Sequence, residues 1–127
     1  MNKKIFISFD YDNDKDIKGC LSYQLLNLSK KISVDDASLL YPFEERWKKN
    51  IRSIIGDCDL VIFLCGKNTK KAKGVTAEMT ITQELNKKYI LLRGRKSISV
   101  TKPKHSCADD EIIDWTRENL LKIITKK

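Results

Sequence analysis

The 127-residue chain is 33% charged and 41% hydrophobic with five glycines and two prolines, which excludes fibrous and disordered classes and suits one domain over residues 1–127. Its formal net charge of +8 raises nucleic acid as a partner, but the lysines and arginines are scattered in short groups without a recognition-helix or ribonucleoprotein motif, so nucleic acid is not expected. No apolar run approaches the roughly 18 residues of a membrane span, and MNKKIFISFD lacks a secretion-signal core, so a cytoplasmic protein without membrane contact is expected.

Lys4 to Phe9 (KIFISF) is β-branched and aromatic and predicts a first strand, closed by the turn-forming DYDND. Ile17, Cys20, Leu21, Leu25 and Leu28 then recur at helical spacing, with Asp14 placed as the N-cap and Asp10 and Asp12 as turn formers. Lys31 to Asp35 alternates as a short second strand; beyond Leu39 to Glu44, a helix carries Trp47, Ile51, Ile54 and Ile55 and ends at Gly56. Asp59 to Cys65 (DLVIFLC) has six apolar residues in succession, the pattern of a central parallel strand covered on both faces. A basic loop, Gly66 to Lys73, feeds a helix with Val75, Met79, Ile81 and Leu85 on one stripe, and Lys88 to Arg93 is another buried strand. Ile98 to Val100 is the best candidate for a short edge strand, before Asp109 and Asp110 cap a last helix carrying Ile112, Ile113, Thr116, Leu120, Ile123 and Ile124. Alternating strands and helices predict an α/β, doubly wound parallel sheet of four to five strands with helices on both faces.

Ligands in such folds bind outside the carboxyl ends of the strands. Glu78, close to where the Gly66 loop enters its helix, falls near the centre of the apolar stripe, whereas Glu84 projects to the opposite side. A carboxylate there is either tolerated in the helix dipole's field and turned to water, or kept for chemistry: stabilising the cationic sugar formed when a glycosidic bond breaks. Gly66 permits close backbone approach, and Lys67, Lys70, Lys71 and Lys73 bring positive charge, yet GKNTKKAKG is not a Walker loop and the glycine-free first loop is not a dinucleotide fingerprint. Asp10, Asp12 and Asp14 suggest a magnesium-binding receiver domain, but the acceptor aspartate expected at the end of the third strand is replaced by Cys65-Gly66. The four cysteines and single histidine, His105, have no metal-site spacing, so no metal is expected, and Cys65 reads as a buried thiol rather than a nucleophile.

KIFISFDYDND, GKNTKKAKGVTAE and IIDWTRENLLKII together resemble the Thoeris-type branch of TIR-like domains, bacterial antiviral proteins with a flavodoxin-like fold. The resemblance implies cleavage of NAD+ at the nicotinamide-ribose bond as a nucleosidase or cyclase in defence signalling, with NAD+ as substrate, no separate cofactor, and homo-oligomers through TIR surfaces. It places Glu78 on the catalytic glutamate, Gly66 and Thr69 on the Gly and Thr of the family's loop, and Phe9, Asp10 and Tyr11 on the loop lining the nucleotide cleft. The chain departs where members often read Ser-x-Trp-Val: here stand Ala72, Lys73, Gly74 and Val75, with Trp47 or Tyr41 as substitutes for the missing aromatic wall. Two other readings share the fold: a non-enzymatic TIR module that binds a nucleotide or assembles with other copies, and a nucleoside deoxyribosyltransferase.

Overall fold

A computed structural model describes residues 3–35, 45–96 and 98–125. Among the described residues, five parallel strands form one sheet in the order β2-β1-β3-β4-β5. They are β1 (Lys3–Ser8), β2 (Ile32–Asp35), β3 (Leu60–Cys65), β4 (Tyr89–Arg93) and β5 (Ile112–Ile113). The helices are α1 (Lys15–Leu28), α2 (Glu45–Asp57), α3 (Lys73–Glu84) and α4 (Arg117–Thr125), with a short 3-10 turn at Thr69–Lys71.

The six apolar residues of β3 are buried on both sides, as their run predicts. Alternate side chains of the strands divide between two cores. Phe6, Val61, Phe63 and Leu91 meet Trp47, Ile51 and Ile55 of α2 and Val75, Met79 and Ile81 of α3. On the other face Ile5, Ile7, Ile62 and Leu92 meet Leu21 and Leu25 of α1 and Leu120 of α4. Helices therefore cover both faces, and the α/β, flavodoxin-like strand order holds over the described residues.

Several expectations change. Ile112 and Ile113 form β5 beside Leu91 and Leu92 instead of opening the last helix, while Ile98 to Val100 is irregular. Asp109 and Asp110 consequently cap nothing: Asp110 accepts hydrogen bonds from the Tyr89 hydroxyl at 2.5 Å and the Cys107 amide at 2.9 Å, and α4 begins only at Arg117. Asp14 does occupy the N-cap position of α1, but its side chain makes no capping bond and turns to Arg95. Cys20, expected on the inner stripe of α1, is exposed.

Candidate active site

The topological switch lies between β1 and β3, because the chain runs outward from β1 to β2 and then returns to β1's other side. A cleft of about 530 Å³ opens beside the carboxyl end of β1, lined by Phe9, Asp10, Tyr11, Asp12 and Asn13 on one wall. The other wall is Asn68 and the run Lys71 to Val75. One wall is thus acidic and the other carries Lys71, Lys73 and the start of α3, where no side chain caps the free amides. Tyr11 is 47% exposed at this cleft, with the Lys15 ammonium 5.1 Å from its ring centre and Phe9 6.2 Å away. Asp10 is buried, its carboxylate accepting from the Asp12 amide at 3.2 Å and from Asn13 Nδ2 at 2.7 Å. The β1 loop is therefore braced by its own carboxylate.

Glu78 lies one helical turn beyond Val75, just off the cleft lining. It is 8% exposed and its Oε1 accepts a hydrogen bond of 2.6 Å from the Ser8 hydroxyl, Ser8 itself being 1% exposed. Burial pushes the carboxyl up to about 8, and only the Ser8 hydrogen bond opposes this. Neither a water-directed carboxylate nor a structural ion pair describes it. Glu84, on the opposite side, is exposed and pairs with Arg52 at 3.1 Å.

Gly66 and Thr69, which the resemblance carries onto the family's loop, are not among the residues that line the cleft with Phe9 and Tyr11. Thr69 is fully buried, and its Oγ1 accepts from the Gly66 amide at 2.7 Å, closing the loop on itself. A Cβ at Gly66 would collide with the Asp14 carboxylate. That carboxylate is buried, with Oδ1 3.2 Å from Arg95 Nη2 and Oδ2 without a hydrogen-bond partner. Burial raises its pKa against the opposing pull of Arg95. Arg95 also binds Asp16 at 2.9 Å and the Asn13 carbonyl at 2.9 Å, tying the segment after β4 to the β1 loop.

Trp47 is a core residue of α2 and no wall of the cleft, and Tyr41 lies outside the described residues, as does the rest of 36–44. Cys65 is buried with its thiol pushed up to about 12 by desolvation, which suits a strand end and not a nucleophile. Among the described residues no group of three or more His, Cys, Asp or Glu side chains is arranged to hold a metal ion, and no helix is long and apolar enough to cross a membrane. Ser8 and Arg95 are the residues that sequence reasoning missed. Ser8 had a signal: it is the one polar side chain in KIFISF after the opening lysine, two residues past Phe6 and so on the same sheet face.

No protein-family model matches the chain, and no curated protein matches it. Among solved structures it is similar to a CMP N-glycosidase of Clostridium botulinum, with 20% identity, a TM-score of 0.61, and coverage of 98% of this chain and 100% of the other. At that identity the likeness is one of fold.

Proposed function

We propose that the chain is an N-glycosidase that breaks the bond between a ribose C1′ and its base in a nucleotide, with NAD+ cleaved at the nicotinamide-ribose bond. The observation that carries this reading is Glu78: a carboxyl buried next to a nucleotide-sized cleft at the switch point, held by a neutral hydroxyl instead of a cation. The fold shared with a CMP N-glycosidase supports the bond class, and the TIR-like motifs support NAD+ and a role in antiviral signalling. In hydrolysis the C1′–N bond breaks with its electron pair leaving on the base, water oxygen adds to C1′, and a proton is released. In the cyclase variant a nucleophilic atom of the same nucleotide takes the place of water.

The proton on Glu78 decides which substrate suits it. Nicotinamide in NAD+ is cationic before it leaves, and a positive charge beside the carboxyl favours its ionised form, so binding drives off the proton. The carboxylate then stabilises the ribosyl cation, and no general acid is needed. A neutral base would instead draw on the proton as a general acid. With NAD+, kcat/KM should therefore rise with pH towards about 8 and level off above it, because this ratio reports the free enzyme. With CMP, a fall in kcat/KM above that pH would assign Glu78 as an acid acting on its neutral base.

One observation favours a second reading, the nucleotide-binding module acting by assembly: Glu78 stands off the cleft lining. Incubation of concentrated protein with NAD+, and separately with CMP, decides between them when products are resolved by mass and retention. Nicotinamide release that E78Q abolishes carries the proposal. No base released from either nucleotide overturns it.

A further inference from the structure

We propose that Ser8 is the positioning residue for Glu78, its hydroxyl holding Oε1 at 2.6 Å so that the carboxyl presents the oxygen Ser8 does not hold. This rests on the glycosidase reading above for its catalytic meaning, but its geometry stands by itself. Ser8 ends β1, where parallel pairing to Phe63 of β3 fixes the backbone and 1% exposure fixes the side chain. Glu78 belongs to α3, whose register is fixed separately by the burial of Val75 and Met79, and by Thr82 Oγ1 donating to the Glu78 carbonyl at 2.7 Å. The hydrogen bond therefore joins two rigid elements and orients a long side chain that would otherwise sample several rotamers.

A hydroxyl donor favours the ionised carboxyl over the neutral one, so Ser8 also opposes burial, and it is the only described group that does. Charged and titratable groups on the surrounding elements are engaged elsewhere. Arg52 of α2 pairs with Glu84, Asp10 beyond β1 is bound by Asn13, Cys65 at the end of β3 is kept neutral by burial, and Lys71 and Lys73 line the cleft. None contributes to the position of the Glu78 titration.

The test uses the whole chain with 13C-labelled glutamate, the Glu78 carboxyl signal being identified by its loss in E78Q. In S8A that signal should titrate higher than in the wild type by about one pH unit or more, as loss of a hydrogen bond to a charged group implies. S8T, which keeps a hydroxyl, should restore it. Where NAD+ is turned over, the acidic limb of the kcat/KM profile should move with the titration. Should S8A fail to fold, S8C, with its weak thiol donor, must show the same upward direction. A folded S8A whose Glu78 titration is unmoved overturns the proposal, whatever its melting temperature. A titration that moves in a chain releasing base from no nucleotide upholds the Ser8–Glu78 geometry and sinks the glycosidase reading alone.

Discussion

Glu78 holds its proton at neutral pH while an unfolded glutamate does not, so its ionisation is linked to folding. The carboxyl is raised from 4.5 to about 8, hence the folded chain binds the extra proton between those values and loses stability as pH rises through that window. E78Q removes the titrating group while keeping the shape. Its melting temperature relative to wild type should therefore climb steadily from pH 5 to pH 8, by an amount corresponding to a few kcal/mol at most; parallel melting curves across that range would show that Glu78 is not buried as described. Gly66 makes a second residue-scale prediction: G66A forces a methyl onto the Asp14 carboxylate and should cost about 1–3 kcal/mol in a denaturant titration, with no dependence on nucleotide. The sequence made Glu78 legible because a carboxylate on an apolar stripe breaks a period. It gave no sign that Gly66 makes room for the Asp14 carboxylate, since a glycine that yields to a neighbouring side chain looks the same as one that yields to a ligand.

Among the elements, the four longer strands and the first three helices lie within a residue or two of their expected places, because each carries an uninterrupted period or run. The stretch beyond β4 does not. Ile112 and Ile113 fit a helical stripe as well as a strand, and the strand wins because pairing beside Leu91 and Leu92 satisfies backbone groups at the edge of β4. What delivers β5 to that edge is Asp110, gripped by Tyr89 of β4 and the Cys107 amide. No periodicity encodes such a clasp. D110A should destabilise the chain by about 1–3 kcal/mol and release hydrogen-exchange protection first at Ile112 and Ile113, leaving β1 and β3 protected. Uniform loss of protection would mean that β5 is no separate unit.

For the molecule as a whole, the positive balance is +8, and at the cleft Lys71 and Lys73 lie opposite Asp10 and Asp12. A phosphate should sit on the lysine side and ribose hydroxyls on the aspartate side. K71A is expected to raise KM for a phosphate-bearing nucleotide by about tenfold, roughly 1.4 kcal/mol, and the effect should shrink as salt is added. An equal rise for the dephosphorylated nucleoside would place the phosphate elsewhere. Much of the architecture was readable because β3, buried on both faces, fits the middle of a parallel sheet. The short β5 carries a further implication for how copies of the chain could meet. A two-residue border strand leaves little unpaired backbone for another chain to extend, so lateral sheet growth is blunted at that side. Copies meeting there would have to recognise one another through side chains, and their register would be set by surface shape instead of by a shared ladder of amides.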